Sequence, residues 1–525
     1  MSNFSFYDYM QADGAALFTA VCLPHKEGCF PTVIYRSPYV DHAENMTEQE
    51  ICDSLLKEHR EWLENGYAVV FQHCRGRGKS SGDCVPYIYE REDGLALQAW
   101  IREQSFYNGE LFLYGRSYLT SVHLVTVPFA SDIKGAILEV QDSERYNCNY
   151  RNGFYKIGLH GGWYVGMYKR KSHLRKSYTT DSYRTLPLSD FSKTVFGESV
   201  ADFDEILRHP KRDDPFWQTR FGGGEARGAL DRVRIPVLLV TGFYDIYTGG
   251  IFDMWNAMDD EARALCALAV DPFDHSGTGE KQPICFENGE LRAAFENYKV
   301  RWMDFARGKC EPPLAPGKIT YYKLFGDRWC CDDFYTARQS KRIGFGEGTA
   351  TYKYNPYAPA TFKGGLSANF GGNAWQDPPH KRYDVITRYS DAFDADTLVK
   401  GKITGKLCVR SDCEDTCFYV RLSLCKPEGD YGLRDDITQI SNFNAQYCPG
   451  TEIELDLSFD EHAFVVKKGE RIRMDISSSA YPHYVPHTNE KGLFSEQKTA
   501  RVATNTVISE KSFLLLPIEE NVEVL

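Results

Sequence analysis

The sequence predicts a mixed α/β protein in three pieces: a parallel sheet with crossover helices, a helical insertion within it, and a β-rich domain after it. Three observations carry this. Short apolar, β-branched runs alternate with amphipathic stretches from about residue 30 to 145 and again beyond 231. Between them lies sequence rich in aromatics, Lys, Arg, Asp and Gly that holds no strong strand pattern. Past about residue 320 the apolar period becomes two, with Gly and Pro turns and no helical spacing.

Taken in order, Thr32–Tyr35, Ala68–Phe71, Leu111–Tyr114 and Gly135–Leu138 read as strands. Arg91 to Glu103 sets Leu95, Ala99, Trp100 and Ile101 at roughly helical spacing behind acidic residues, which predicts a crossover helix. The insertion runs from Tyr146 to Leu230 and includes Tyr150–Tyr155 and Asp213–Trp217; it reads as a helical cap. The sheet resumes at Ile235–Val240 and Ala264–Val270. Alternation at Phe418, Val420, Leu422 and Leu424, at Ile453, Leu455, Leu457 and Phe459, and at Ile472, Met474 and Ile476 predicts a sandwich or jelly roll. The expected division is therefore 1–145 and 231–315 for the two parts of the α/β domain, 146–230 for the cap and 316–525 for the β domain, with Glu311–Gly317 as the boundary.

Composition narrows the function. With 525 residues, 33 Tyr and 32 Phe, the chain can bury a large core and exceeds what one domain usually holds. A formal charge of −12, with no basic run longer than Lys169-Arg170-Lys171, disfavours nucleic acid and anionic membranes as partners. The start has neither a basic nor an apolar leader pattern, and no 18 uncharged apolar residues run together, so a cytoplasmic protein is expected. The 16 cysteines are scattered and form no Cys-x-x-Cys, which favours reduced thiols. Pro482 and Pro486 break any helix through His483 and His487, and no His-Glu-x-x-His occurs, so neither a metal nor an organic cofactor is implied.

The chemistry is carried by strand ends. Gly115-Arg116-Ser117-Tyr118 follows a strand and precedes a helix-compatible run, as a nucleophile elbow requires. Such a turn lifts the Ser117 oxygen above the sheet and aims the Tyr118 amide at a developing oxyanion. Gly-x-Ser alone is common in turns, and Leu119 stands where a second glycine is usual. Order raises the odds: Asp245 in Gly242-Phe-Tyr-Asp and His275 in Asp271-Pro-Phe-Asp-His each follow a later strand, giving Ser, Asp and His in the order of α/β-hydrolases. Asp253 and Asp274 are weaker candidates for the acid, while His123 and His160 read as packing residues.

Several segments resemble the cocaine esterase and X-Pro dipeptidyl-peptidase-like (CocE/NonD) serine hydrolases. They are Tyr35–Tyr39, Gly66–Gln72 with Arg75-Gly-Arg77 and Ser80-Ser-Gly82, the Ser117 elbow, Gly242–Asp245, Pro272–His275 and Arg473–Pro482. The resemblance implies an α/β-hydrolase domain with an inserted helical cap and a C-terminal jelly roll. It also implies that Tyr39 lends its hydroxyl to the oxyanion hole beside the Tyr118 amide. Thr120 departs from the glycine usual three residues after the nucleophile and predicts a crowded elbow. Relatives that bind a substrate amine carry acids just after the triad Asp, where this chain has Ile246, Tyr247 and Thr248; the cap offers Asn149, Arg151 and Lys156. A neutral or anionic acyl group is expected to fit better. Tyr247, Phe154, Tyr155, Phe216 and Trp217 are candidate pocket walls, and Arg75 and Arg77 are read as structural, with Asp83 a candidate partner. The leading expectation is hydrolysis of a small-molecule carboxylic ester or amide through an acyl-enzyme on Ser117. The alternatives are an X-Pro dipeptidyl-peptidase and a catalytically silent binding protein on the same fold.

Overall fold

The computed structural model describes residues 3–129, 132–167, 180–220, 230, 233–278, 282–284, 286–366 and 372–520. Lys169-Arg170-Lys171 and most of the chain between 221 and 232 lie outside the described residues.

A ten-stranded sheet organises the first half. Its strands are β1 (Asn3–Met10), β2 (Ala16–Leu23), β3 (Phe30–Ser37), β4 (Ala68–His73), β5 (Tyr107–Arg116) and β6 (Ile133–Glu139). After the two-residue hairpin of β7 (Tyr150–Arg151) and β8 (Phe154–Tyr155), the sheet continues with β9 (Val237–Gly242), β10 (Ala267–Asp271), β11 (Ile319–Lys323) and β12 (Arg328–Asp332). The order is β1-β2-β4-β3-β5-β6-β9-β10-β11-β12, parallel from β4 through β11 and antiparallel at both ends. Every residue of β3, β4, β9 and β10 is buried, as expected of parallel strands covered on both faces.

The helices follow local signals. Thr47 and Glu50 form a reciprocal capping box that starts α1 (Glu48–Glu58), and the short α2 (Arg60–Glu64) follows it. Crossover helix α3 (Glu90–Arg102) buries Leu97 and Ile101, while α4 (Tyr118–Leu124) leaves the elbow. Between β6 and β9 the chain makes an excursion of short helices, beginning with α5 (Arg145–Asn149) and α6 (Ile157–Met167).

The boundary expected at residue 316 is corrected. β11 pairs in parallel with β10, and β12 returns antiparallel on β11, so the first sheet runs to Asp332. The Pro-rich loop leads from the helix Tyr298–Ala306 into the next strand of the same sheet, and such a loop looks the same in composition as one between domains, which is why composition misplaced the boundary. The N-terminal β1–β2 hairpin was likewise outside the strands read from sequence.

The second half is β-rich. One sheet follows the path Thr349–Tyr354, Ala503–Ile508, Thr404–Ser411, Phe513–Glu520, Thr397–Gly401, His462–Val466, with Gln339–Gly344 and Ile453–Ser458 attached. The other orders Ile386–Tyr389, Arg471–Ser477, Cys417–Lys426 and Gly429–Gln439. One apolar core runs from Leu113 and Leu239 under the first sheet into Val420, Leu422 and Leu516 of the β domain, so the two halves share it. Among the described residues no helix is long and apolar enough to cross a membrane.

Candidate active site

Three strand ends bring three side chains together. β5 ends at Arg116, and Ser117 takes φ 57° and ψ −127° before α4 begins at Tyr118. A non-glycine residue in that conformation is strained and points its side chain out of the turn. The turn is so tight that a Cβ on Gly115 would lie 2.2 Å from the Leu119 carbonyl oxygen. Thr120, expected to crowd the elbow, instead fastens it. Its hydroxyl donates to the Glu139 carbonyl at 2.8 Å and accepts from the Glu139 amide at 3.0 Å, joining α4 to the end of β6.

Ser117 Oγ lies 2.9 Å from His275 Nε2, and His275 Nδ1 lies 2.6 Å from Asp245 Oδ2. Asp245 is fully buried, and its other oxygen accepts the Tyr247 amide at 2.7 Å. Gly242 lets the β9 and β10 ends close on one another, since a Cβ there would lie 2.2 Å from the Phe273 carbonyl oxygen. Asp274 turns to Ser276 instead, and the carboxylate hydrogen-bonded to His275 belongs to Asp245 rather than Asp253. The arrangement can carry the Ser117 proton onto an imidazole whose tautomer a buried carboxylate fixes.

Tyr39 stands over the same oxygen. Although 45 % of its surface is exposed, its hydroxyl accepts from Trp163 Nε1 at 3.0 Å and also interacts with Ser117. Burial of the hydroxyl pushes the phenol up, so it stays a proton donor at neutral pH. Arg77 holds this segment from beneath, donating to the Pro38 and Met167 carbonyls at 2.7 and 2.6 Å and pairing with Asp41 at 2.7 Å. Arg75 pairs with Asp93 and Asp13, not with Asp83. The Tyr118 amide opens α4, where a helix has no internal partner for it. The Tyr118 side chain is anchored elsewhere, with its hydroxyl on Glu90 at 2.8 Å and its ring stacked on Tyr87.

Sequence reading missed the support behind the elbow. Arg116 donates to the His275 carbonyl at 2.7 Å and to buried Glu139 at 3.1 Å. Burial pushes the Glu139 carboxyl up, but Lys299, Arg116 and Tyr298 more than offset this and hold it below the usual range. One guanidinium thus ties the residue beside the nucleophile to the loop of the base. The contact to His275 spans 159 residues, and no local pattern announces it.

A cavity of about 340 Å³ opens on Ser117 and is walled by Tyr39, Ala43, Ile51, Leu55, Phe71 and Leu119, with His42, Glu58, His73 and Arg116 among its polar groups. Its walls are thus largely α1 and the loop before it, which corrects the expected pocket. Phe154, Tyr155 and Trp217 are buried in an aromatic cluster with Tyr146, Tyr150 and Phe203, and Phe216 stacks on His209 at 4.2 Å. Aromatic residues in the insertion pack its own core and its seam with the β domain. Tyr247 does lie beside the site, with its ring 5.6 Å edge-on from that of His275. His123 is buried and bonds the Tyr114 carbonyl at 3.0 Å, and His160 is buried too. Arg151 faces the β domain, Lys156 donates to the Asn147 carbonyl, and Asn149 to that of Arg145. Among the described residues no cluster of three or more His, Cys, Asp or Glu could hold a metal.

Comparison with known proteins agrees with this architecture. The model of the X-Pro dipeptidyl-peptidase (S15) family matches residues 13–277, and that of the X-Pro dipeptidyl-peptidase C-terminal non-catalytic domain matches 335–513. The cocaine esterase of Rhodococcus sp. (strain MB1 Bresler) is 24% identical over 557 aligned residues, covering 94% of this chain and 93% of that protein. Two solved structures share the fold at a TM-score of 0.84. One is an α-amino acid ester hydrolase, 17% identical over 99% of this chain and 97% of that one. The other is an aminopeptidase from the marine sediment archaeon Thaumarchaeota archaeon, 16% identical over 98% and 96%. With the first match spanning the elbow, the Asp245 turn and the His275 loop, the chain belongs to the X-Pro dipeptidyl-peptidase (S15) family, CocE/NonD relatives included, and is a serine hydrolase of esters or X-Pro peptides.

Proposed function

We propose that the protein hydrolyses a carboxylic ester, or an amide, of a small acyl group through an acyl-enzyme on Ser117. The observation that carries this is the hydrogen-bonded series from Ser117 through His275 to Asp245, opening on a mostly apolar cavity. Ser117 Oγ attacks the carbonyl carbon as His275 Nε2 takes its proton. Tyr39 and the Tyr118 amide donate to the tetrahedral oxyanion. Collapse expels the alcohol or amine, which takes the proton back from His275. Water, deprotonated by the same imidazole, then adds to the acyl group and releases the acid and Ser117. Asp245 keeps the ring oriented and stabilises its charged form.

Residues 339–520 we read as a jelly roll that supports the site, and the helices from Arg145 to Arg220 as a cap over it, since Trp163 of α6 reaches Tyr39. An X-Pro dipeptidyl-peptidase is the second reading, favoured by the family match. Against it, no acid follows Asp245, where Ile246, Tyr247 and Thr248 stand. Hydrolysis of p-nitrophenyl butyrate beside Ala-Pro-p-nitroanilide, with Ser117→Ala as blank, separates the two. Turnover of the ester alone is expected; turnover of the anilide alone makes the protein a peptidase. Full activity in Ser117→Ala would overturn the mechanism.

A further inference from the structure

Glu139, the last residue of β6, serves two parts of the site at once. Its carbonyl accepts from the Ser117 amide at 3.0 Å and from the Thr120 hydroxyl at 2.8 Å, so its backbone holds the nucleophile turn. Its carboxylate accepts from Arg116 at 3.1 Å, and Arg116 holds the His275 carbonyl at 2.7 Å, so its side chain holds the loop of the base. A buried carboxylate fixes a guanidinium in this way while it is ionised; protonated, it gives up the ion pair and much of the hold.

The surroundings of Glu139 decide that ionisation. Arg116 shares its charge with Asp245 and Asp271, and Asp271 lies within the field of Glu139 as well. Tyr298 and Tyr114 donate to the carboxylate at 3.0 and 3.2 Å but are neutral. Val240 of β9, paired with Glu139, and Thr120 of α4 carry no titratable group. Further out, Tyr35 of β3 packs on Tyr114, and Glu61 of α2 faces Tyr114.

The second cation is Lys299. It lies 3.6 Å from Glu139 Oε1, donates to the Tyr114 hydroxyl and sits 4.4 Å over that ring. Burial pushes the Glu139 carboxyl up, and the largest opposing cause is the Lys299 charge, ahead of Arg116. Lys299 stands in the first turn of the helix Tyr298–Ala306, where a positive charge works against the helix dipole, so the helix gains nothing from it. It lines a separate cavity of about 560 Å³ with Tyr35, Trp62 and Tyr114, and neither Lys299 nor Glu139 lines the one at Ser117.

Building on the serine-hydrolase reading above, we propose that Lys299 is a positioning residue for catalysis: its ammonium holds Glu139, and through it Arg116 and the His275 loop, in register with Ser117.

The pH dependence of kcat/KM tests this, because it counts the protons that silence the free enzyme. Wild type loses activity on the acid side as its general base takes up a proton. Asp271, raised to about 7, titrates in every variant and cancels from the comparison. In Lys299→Met the burial of Glu139 loses its main offset, so Glu139 takes up a proton in the same window as pH falls. The acid limb is expected to steepen by one further proton, with kcat/KM roughly tenfold below wild type near pH 6 and within about threefold near pH 8. Lys299→Arg keeps the charge and is expected to keep the wild-type slope. Glu139→Gln, fixed in the neutral form, is expected to be slow at every pH, with kcat down roughly tenfold and KM little changed. Adding Lys299→Met to it should add no proton to the limb. A slope unchanged in Lys299→Met, even where the limb moves, marks a through-space effect on His275 and overturns the proposal. An extra proton that survives in Glu139→Gln/Lys299→Met overturns it too. Circular dichroism at each pH confines the comparison to folded protein, and Lys299→Met decides by itself where Glu139→Gln does not fold. The profile is read on whichever of p-nitrophenyl butyrate and Ala-Pro-p-nitroanilide is turned over, so failure of the ester reading leaves this test standing.

Discussion

The Tyr39 hydroxyl accepts from the Trp163 indole, so its proton is left to face Ser117 and any oxygen bound there. Tyr39→Phe is therefore expected to lower kcat by about a hundredfold or more with little change in KM, the cost of losing one oxyanion donor. Trp163→Phe keeps a ring but not the donor and should cost roughly fivefold, as one neutral hydrogen bond would. Arg116→Lys keeps charge but not the fork that spans Glu139 and the His275 carbonyl; kcat should fall roughly tenfold while KM holds. Steady-state turnover of p-nitrophenyl butyrate reads all three. The positions of Ser117, Asp245 and His275 were legible because each closes a buried strand, where local sequence speaks. Trp163 and Arg116 were not, because what each does depends on a neighbour brought in from elsewhere in the fold. The contact of Trp163 with Tyr39 alone spans 124 residues.

The end of β6 and the start of α4 behave as one joint, since Thr120 bonds both the amide and the carbonyl of Glu139. Thr120→Val, similar in shape, leaves those two buried groups without that partner and should cost about 1–3 kcal/mol in urea unfolding. The end of β10 carries a different load. Burial pushes the Asp271 carboxyl up to about 7, with Asp245 and Glu139 adding to this and Arg116 opposing it. The folded protein therefore holds a proton that the unfolded chain releases near pH 4, and stability falls as pH rises from about 4 to 7. Asp271→Asn should flatten this decline by roughly 2 to 4 kcal/mol, visible as a smaller drop in thermal midpoint across that window. The parallel strands could be read from sequence because burial on both faces makes them continuous apolar runs. The edges could not: β1–β2 is a hairpin on one margin, and β12 has only partly buried or exposed residues.

The β domain reaches into the site without supplying a reacting atom. Arg434, almost fully buried, donates to the carbonyls of Phe243 and Glu461, and Tyr244 donates to the Gly432 carbonyl at 3.2 Å. Both contacts grip the turn that ends in Asp245. Arg151 of β7 adds a second seam through Asp436 and Asp460. Arg434→Met is expected to lower kcat more than it raises KM and to loosen the two halves together, so that circular dichroism and activity melt in one transition at a lower temperature. The composition of the second half announced a separate β domain, and its shared core could not be seen from pattern alone. The grip on Phe243 has a bearing on ancestry. A hydrolase half that acquired a different β partner would keep every residue of its proton path and still lose the alignment of its acid. The Asp245 turn and Arg434 are therefore heritable only as a matched pair, and a lineage can vary the cavity wall at α1 far more freely than it can exchange a half that lines none of that cavity.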